Sequence, residues 1–307
     1  DIIHFHDPED LLGYYSYLKS IQFRGKIVMT THSPVPAASE ITEERNTYSW
    51  AKKLFRHIFE RLEIEAWEKC NFLMFPVNEA VKVYYPNPNL KRFTELHPER
   101  LIYCPTGILE TYEKSQEINI RKYLNIPENA FIVTYIGRHN EVKGYDQLKL
   151  LGELLLDEYS NLYFIIAGKE YPLTRLKHER WIELGWINFG DSLIEQSDLF
   201  VLPNKETYFD LIALEVIRSG TPMMMTQTGG NKYFEKCPGN GGLFFFPYGD
   251  LNSQRGIVGK VMNLKQQGEL DTFRKANREL FKNEFTMQAY MKRYIALMES
   301  ITHSTEN

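Results

Sequence analysis

Short apolar runs alternate with longer helical patterns along the chain. In the first third, four runs have the length and the content of β-branched and aromatic residues that are typical of buried strands. These predicted strands span residues 2–5, 26–31, 72–77 and 101–104. The clearest helix between them spans residues 49–70, where apolar residues recur near the 3.6-residue period and charges occupy the other face.

The alternation resumes after residue 130 with a second series. Predicted strands span residues 131–136, 162–167, 199–202, 221–226 and 243–246. Predicted helices span residues 146–157, 175–184, 210–219 and 253–267. Such alternation predicts parallel sheets joined by right-handed crossovers. A last amphipathic helix, 287–301, carries its predicted apolar stripe at Met287, Tyr290, Met291, Tyr294, Ile295 and Met298.

The two series predict an α/β protein with two Rossmann-like domains. We expect a first domain over residues 1–112, a second over 113–286, and a terminal helix over 287–307 that packs back across the first domain. The polar stretch 110–116 is the predicted linker. Because residues 1–6 read as the interior of a strand, we expect the first domain to be incomplete at its start.

Composition narrows the class of protein. The chain is 43% hydrophobic and 25% charged, which is typical of a globular protein, and its net charge of -4 argues against a nucleic-acid binder. Three widely spaced cysteines suggest neither a disulfide framework nor a zinc site, and a reducing cytoplasm fits them best. There is no apolar run near 18 residues, which leaves open only peripheral contact with a membrane.

The first candidate site follows the strand 131–136. Residues 135–145 read YIGRHNEVKGY, so Gly137 and Arg138 end the strand and Lys143 precedes the next helix. Ligands of α/β sheets bind beyond the carboxyl ends of strands, where the following helix presents free N–H groups. Two cations at that place predict a diphosphate site. An exposed basic turn is the alternative interpretation.

A second segment, ETYFDLIALEVIRSGTP, begins at Glu206 and contains a helix that is predicted to start near Asp210. Glu215 follows the core-facing Leu214 on that helix. A carboxylate there can accept hydrogen bonds from the two hydroxyls of a ribose. A solvated helix glutamate is the alternative.

These motifs, in this order, resemble those of retaining family 4 glycosyltransferases of the GT-B fold. The resemblance rests on Gly137-Arg138, Lys143-Gly144, the strand SDLFVLP, Glu206 with Glu215, SGTP, and Thr228-Gly229-Gly230. Residues 1–6 and the run 30–33 are also similar to two strand ends of that family's first domain. The resemblance implies two parallel sheets that face each other across a cleft, and it covers nearly the whole chain.

The resemblance also implies roles for individual residues. Arg138 and Lys143 would hold the donor diphosphate and Glu215 the ribose. The amides around three further residues would face the sugar and the β-phosphate: Phe209, Asp210 and Leu211. His32 corresponds to a histidine beside the transferred sugar and the reaction centre.

The chain departs from the family's pattern at the first acidic position. The family separates its two glutamates by seven residues, whereas eight separate Glu206 from Glu215, which puts Thr207 at the usual spacing. We interpret Glu206 as the acidic residue, because a loop can absorb one extra residue. Residues 231–233 also lack an acid that is often found there.

Histidines at the end of the first strand supply an acceptor-side candidate. We expect His4 and His6 to lie on opposite sides of the strand, so that only His6, at its end, reaches the acceptor side. The chain has no Asp-x-Asp pair, phosphate-binding loop, GxSxG or HExxH, and we therefore expect no metal and no cofactor. The cations and helix N-termini would then stabilise the departing nucleotide electrostatically.

The sequence thus predicts a cytoplasmic, retaining hexosyltransferase. Its donor would be a nucleotide diphosphate sugar, with UDP inferred from the family's tendency, and its acceptor a glycan, a lipid-linked glycan or a glycoconjugate precursor. One rival is a non-catalytic GT-B-fold subunit that binds a glycan or a partner glycosyltransferase, which the glutamate spacing permits. The other is a nucleotide-sugar epimerase, for which no acid/base pair is evident.

Overall fold

Parallel sheets organise the two units into which the chain divides. The computed structural model describes residues 1–32, 36, 49–111 and 117–303. The first unit comprises Asp1–Thr106 and the chain from Tyr290 onward, and the second is Gly107–Ala289. Most of the predicted linker, residues 112–116, lies outside the described residues. In the described part, no helix is both long and apolar enough to cross a bilayer.

The first unit contains a four-stranded parallel sheet in the order β1-β2-β3-β4. The strands are β1 Ile2–Phe5, β2 Lys26–Thr30, β3 Phe72–Phe75 and β4 Leu101–Tyr103. Among the described residues of Asp1–Thr106, the α-helices are α1 Pro8–Ser20, α2 Ser49–Lys69 and α3 Pro88–Leu96. Helix α1 starts where Pro8 follows Asp7, whose side chain accepts a hydrogen bond from the backbone N–H of Asp10. All four predicted strands are confirmed, each slightly shorter or of the same length.

The second unit contains a six-stranded parallel sheet in the order β10-β9-β8-β5-β6-β7. Its strands are β5 Phe131–Ile136, β6 Leu162–Ala167, β7 Trp181–Glu183, β8 Leu199–Leu202, β9 Met223–Thr226 and β10 Leu243–Phe246. Its helices are α4 Ile120–Tyr123, α5 Tyr145–Glu158, α6 Gly190–Glu195, α7 Leu211–Ser219, α8 Asn231–Glu235, α9 Leu251–Gln266 and α10 Leu270–Leu280. The predicted fold class of two Rossmann-like α/β units with parallel sheets is confirmed.

Helices cover both faces of the second sheet, which explains its unbroken apolar strands. Val133 and Phe164 belong to one cluster of buried side chains, and Ile132 and Ile165 to another. Alternate residues of β5 and β6 therefore enter different cores. A sheet buried in this way leaves its strand ends as the places where polar side chains can collect.

One predicted helix, 175–184, is wrong. Its last residues form β7, which pairs with β6 in parallel, with Trp181 opposite Phe164. The Trp181 side chain is buried, and its ring stacks on that of Phe164 at 5.1 Å. Stacking against the sheet therefore outweighs the helical spacing of the apolar residues, as tertiary context often does.

The last helix, α11 Met287–His303, confirms the prediction of an amphipathic helix at residues 287–301. Its buried side is narrower than the predicted stripe. Tyr290, Tyr294 and Met298 pack on a cluster in the first unit, whereas Met287, Met291 and Ile295 are exposed. The cluster contains Val28, Met74, Cys104 and Ile301.

A buried carboxylate fastens several elements of the second unit together. Asp198 lies directly before β8, and its Oδ2 accepts hydrogen bonds from the backbone N–H of Ile132 at 2.8 Å and from Lys265 Nζ at 2.7 Å. The Arg121 guanidinium lies 3.5 Å from the same oxygen. Strand β5, helix α4 and helix α9 are thereby joined to the start of β8.

We expect Asp198→Ala to lower the free energy of unfolding of the second unit by about 3 kcal/mol, because it leaves two cations and an amide without their buried partner. Asp157→Ala is the control, since that side chain is exposed on α5, and it should cost less than about 0.5 kcal/mol. Urea denaturation measures both. Equal stability of the two variants would contradict this account of the network.

Candidate functional site: an anion pocket in the second unit

A pocket of about 350 Å³ lies at the carboxyl ends of the strands of the second sheet. The loops that follow β5, β6 and β8 form its walls, together with the starts of α6 and α7. Its polar lining residues are Arg138, Lys143, Lys169, Asn204 and Asp210. Its apolar lining includes Ile136, Ala167, Trp186, Ile187, Leu202 and Ile212. The pocket therefore offers cationic groups that can hold an anion and apolar surface on which a ring can pack.

The loop from Gly137 to Gly144 places both predicted cations in this pocket. Tyr135 Oη donates to the Arg138 carbonyl at 2.8 Å, and Asn140 Oδ1 accepts from the Lys143 amide at 2.8 Å. His139 is fully buried and its ring stacks on Tyr145 at 3.9 Å. These contacts fix the backbone on either side of the two cationic side chains.

Two glycines allow neighbouring loops to touch this one. At Gly144, with φ +69°, a Cβ atom would lie 1.8 Å from the Pro203 carbonyl oxygen. At Gly168, with φ +135°, a Cβ atom would lie 1.9 Å from the Gly137 carbonyl oxygen. Only glycine accepts both the left-handed backbone and the contact with a carbonyl. The loops after β5, β6 and β8 are therefore drawn together at the pocket.

The two cations differ in their surroundings. The Arg138 side chain is exposed and forms no hydrogen bond or ion pair with any described residue. Lys143 Nζ donates to both carboxylate oxygens of Asp210, at 2.8 and 2.9 Å. Asn204 Nδ2, from the loop after β8, donates to the same carboxylate at 2.5 Å. One cation is therefore free for a ligand, while the other is already paired.

Helix α7 points its N-terminus at the pocket. The helix begins at Leu211 without a side-chain cap, and Ile212 lines the pocket. Its first amides can therefore donate to an anion. Of the residues whose amides were predicted to face the donor, Asp210 lines the pocket, Phe209 is buried against Phe234, and Leu211 has an exposed side chain.

Glu215 is half-buried on α7, one turn after Ile212, and does not line the pocket itself. Burial is the main cause that raises the pKa of its carboxyl group; Arg218 opposes the rise and Asp191 adds to it. Among the described residues it has no hydrogen-bond partner. A partly buried carboxylate of this kind can accept hydrogen bonds from ligand hydroxyls.

The structure separates the two candidates for the first acidic position. The Glu206 side chain is exposed and does not line the pocket. Thr207 is buried, with 3% of its surface exposed, and its Oγ1 makes no hydrogen bond in the described part of the chain. Thr207 also carries the carbonyl that a Cβ atom at Gly229 would approach to 2.0 Å. Of the two candidate positions, the one that lies against the glycine pair is therefore occupied by threonine.

Histidines of the first unit form a separate stack. His6 Nδ1 and His32 Nε2 are hydrogen bonded at 2.9 Å, and the rings of His4 and His6 stack at 4.5 Å. The expectation that His4 and His6 face opposite sides is wrong, because residues two apart in a strand share a face. His4 is also hydrogen bonded to Thr30 Oγ1 at 2.6 Å and to Tyr294 Oη at 2.8 Å.

Burial and the neighbouring rings oppose protonation within this stack. The pKa of His4 is lowered to about 4, mainly by burial and next by repulsion from His6 and His32. The pKa of His32 is lowered by burial and by His6, while Asp7 opposes the fall. His4 is therefore uncharged at neutral pH and supports the other two rings as a neutral partner.

Among the pocket residues that sequence reasoning missed are Lys169, Trp186 and Asn204. Trp186 is 90% exposed and is part of the apolar lining of the pocket. An exposed tryptophan is unusual and suits the stacking of a flat ring. Its position after Gly185 at the carboxyl side of β7 is the signal that could have identified it, but β7 itself was predicted as a helix.

Comparison with known proteins identifies the fold and then the family. The catalytic domain of starch synthase IV from Arabidopsis thaliana, solved with ADP and acarbose, superimposes with a TM-score of 0.70 at 15% identity, over 99% of this chain and 73% of that one. The fold is thus GT-B, as predicted. The family described as glycosyl transferases group 1 matches residues 116–279, more than half of the chain, and the chain belongs to this family.

Two curated relatives show how far the similarity extends. Lipopolysaccharide 1,2-N-acetylglucosaminetransferase of Salmonella typhimurium is 27% identical over 228 residues, which cover 67% of this chain and 56% of that enzyme. UDP-Gal:alpha-D-GlcNAc-diphosphoundecaprenol alpha-1,3-galactosyltransferase of Escherichia coli is 25% identical over 315 aligned positions, covering 92% of this chain and 76% of that enzyme. The chain thus spans little more than half the length of the Salmonella relative.

Gly144 and Gly185 form a matched pair for testing the loop contact. Both have left-handed backbones, with φ of +69° and +66°, but only Gly144 has an atom within 4 Å of an added Cβ. We expect Gly185→Ala to cost about 1 kcal/mol from backbone strain alone. Gly144→Ala should cost about 1–3 kcal/mol more, because the loops must separate. Equal losses in urea denaturation would show that the Pro203 contact does not constrain the pocket.

Proposed function

We propose that this chain is a retaining glycosyltransferase that moves a hexose-type sugar from a nucleotide diphosphate sugar to a glycan, lipid-linked or glycoconjugate acceptor. The observation that carries the proposal is the presence of Arg138 and Lys143 in one pocket with the uncapped N-terminus of α7. Family membership supports it. A diphosphate needs several converging cations and N–H donors, and this pocket supplies them.

The charged and apolar residues that line the pocket support a proposed position for the donor. The diphosphate lies between Arg138 and the first amides of α7, and Glu215 receives the ribose hydroxyls. The base stacks on the apolar lining of the pocket, against Trp186. UDP is the proposed nucleotide, as in the name of the Escherichia coli relative, although the starch synthase was solved with ADP.

The reaction breaks the bond between the anomeric carbon and the β-phosphate oxygen and forms a bond from that carbon to an acceptor hydroxyl oxygen. The acceptor attacks from the face that the nucleotide leaves, and the departing phosphate takes the acceptor's proton, so the configuration is retained. Arg138, Lys143 and the amides of α7 stabilise the charge that develops on the leaving group. No metal or cofactor is required in this proposal.

The remaining assignments are proposals from the family resemblance. His32 is placed beside the transferred sugar and His6 on the acceptor side, and their hydrogen bond at 2.9 Å lets one orient the other. Glu206 is retained as the acidic residue of the donor loop, with Thr207 as its alternative. We also propose a cytoplasmic location with peripheral membrane contact, which the exposed side chains of Tyr14 and Tyr17 on α1 and of Ile21 directly after it support.

A non-catalytic GT-B-fold subunit is the second candidate function. It is favoured by one observation: the buried position near Gly229 holds Thr207, while Glu206 is exposed. Such a subunit would bind a glycan or a partner glycosyltransferase and would leave nucleotide sugars intact. The exposed Arg138 side chain, which has no ion-pair partner in the part of the chain that the structure describes, argues for the enzyme.

Acceptor-free hydrolysis of a panel of UDP-, ADP- and GDP-sugars tests the proposal and identifies the donor. We expect slow turnover of one donor, and Arg138→Lys should lower kcat/KM for it by about 10- to 100-fold. The physical reason is that lysine cannot form the bidentate contact, and one charge-assisted hydrogen bond is worth about 1.5–3 kcal/mol. Arg255→Lys is the control, since Arg255 pairs with Glu158 on the surface, and it should leave kcat/KM unchanged.

Two outcomes of that experiment would contradict the proposal, the first its enzymatic activity and the second the role of Arg138. Binding of a nucleotide sugar without any turnover would favour the non-catalytic subunit. Turnover that is equally fast in Arg138→Lys and the unaltered chain would remove Arg138 from the diphosphate site.

The raised pKa of Glu215 gives a pH dependence of donor binding. Ribose hydroxyls donate to the ionised carboxylate, so binding favours loss of its proton and should tighten as the pH rises from the ordinary glutamate range, about 4.3, toward neutrality. UDP-glucose is the probe, because its diphosphate does not titrate in this range. Calorimetry should show that Glu215→Gln binds more weakly and loses this dependence. An unchanged pH profile in the variant would remove the ribose assignment.

A further inference from the structure

Asp210 places a negative charge inside a pocket whose proposed ligand is an anion. Its carboxylate is 2.8 and 2.9 Å from Lys143 Nζ and accepts a further hydrogen bond from Asn204 Nδ2 at 2.5 Å. The Asp210 side chain is 16% exposed and lines the pocket. Two partners from two different loops hold it there.

The Asp210 carboxylate does not cap the helix that it precedes. Asp210 occupies the N-cap position of α7, where an aspartate ordinarily accepts a hydrogen bond from an amide of the first turn. Its side chain caps no amide of α7 and instead faces Lys143. The charge therefore acts on the pocket rather than on the helix.

Lys143 can serve the carboxylate and a phosphate at the same time. The Lys143 ammonium has three N–H donors, and the two carboxylate oxygens of Asp210 accept hydrogen bonds from two of them. A phosphate that uses the remaining donor comes close to the carboxylate, and the repulsion between the two anions grows with the charge on the phosphate. Asp210 thus weakens the more highly charged of two similar ligands.

The proposed substrate and product differ in this respect. The diphosphate of a nucleotide sugar carries two negative charges, because the sugar blocks the terminal phosphate. Cleavage exposes that terminal phosphate, whose second ionisation falls near pH 6, so the nucleoside diphosphate product carries about one further charge at neutral pH. The added charge appears at the bond that breaks.

We propose that Asp210 is a specificity-determining residue that lowers the affinity of the pocket for the nucleoside diphosphate product relative to the nucleotide sugar, and so promotes product release. The inference rests on the proposed function, since it requires a nucleotide-sugar donor in this pocket. Release of product limits the turnover of many enzymes, so a carboxylate in this place favours the catalytic cycle. Without it, Arg138, Lys143 and the amides of α7 would retain the product.

The test compares the affinities of UDP and UDP-glucose in the unaltered chain and in Asp210→Asn, measured by calorimetry at about pH 7.5. We expect Asp210→Asn to tighten UDP about tenfold and UDP-glucose about threefold or less, so that the ratio of the two affinities shifts toward UDP. Inhibition of the acceptor-free reaction by UDP should strengthen in parallel. Asp210→Gly, which also suits an N-cap, is the second variant should Asp210→Asn fold poorly.

Asp157→Asn is the matched control, because it removes the same negative charge as Asp210→Asn but from an exposed position. We expect it to leave the affinities for UDP and UDP-glucose unchanged. A ratio that is the same in Asp210→Asn as in the unaltered chain, or weaker binding of UDP, would overturn the inference while leaving the donor site intact. If the unaltered chain bound neither UDP nor UDP-glucose, nor the corresponding ADP and GDP pairs, the proposed function would fail and this inference with it.

Discussion

The close approach of three loops at one edge of the second sheet is the constraint on which the candidate site depends. Parallel strands β5, β6 and β8 end at the same edge, and the loops that follow them meet backbone to backbone at Gly144 and Gly168. A side chain at either glycine would overlap a carbonyl oxygen of the neighbouring loop. The cations of one loop and the carboxylate of another therefore share one small pocket, which gives the site its chemistry.

The pocket contains both cationic and anionic side chains, which suits a ligand whose charge changes during the reaction. Arg138 is unpaired among the described residues, whereas Lys143 is held by Asp210. Glu215 lies half-buried near the pocket, with a pKa that burial raises. A wholly cationic pocket would bind a diphosphate more strongly but would release the product slowly. The proposed function requires both attraction and release, and the observed pairing offers a physical basis for each.

Sequence reasoning predicted the features that depend on local pattern. The strands 131–136 and 162–167 were evident because burial on both faces produces unbroken apolar runs. The two cations were found because a strand, a glycine and a helix start follow one another in the sequence. Features that depend on distant residues escaped prediction. The partner of Lys143 lies 67 residues further along the chain, and no spacing rule connects them.

Two errors have different physical causes. Strand β7 has only three residues and ends in Glu183, whose buried carboxylate accepts hydrogen bonds from Tyr145 and Trp181. Because these hydrogen bonds form only in the folded chain, a glutamate at this position in the sequence did not indicate a buried strand. The misplacement of His4 relative to His6 was an error of strand periodicity. The choice between Glu206 and Thr207 as the functional residue stays open to experiment, although their different burial is now clear.

A crystal structure of the chain with a bound nucleoside diphosphate tests the central claim most directly. The account predicts that the diphosphate lies within hydrogen-bond distance of the Arg138 guanidinium and of the first amides of α7, with the ribose at Glu215 and the base against Trp186. A nucleotide bound elsewhere on the second unit, with the Arg138 side chain still directed into solvent, would contradict it.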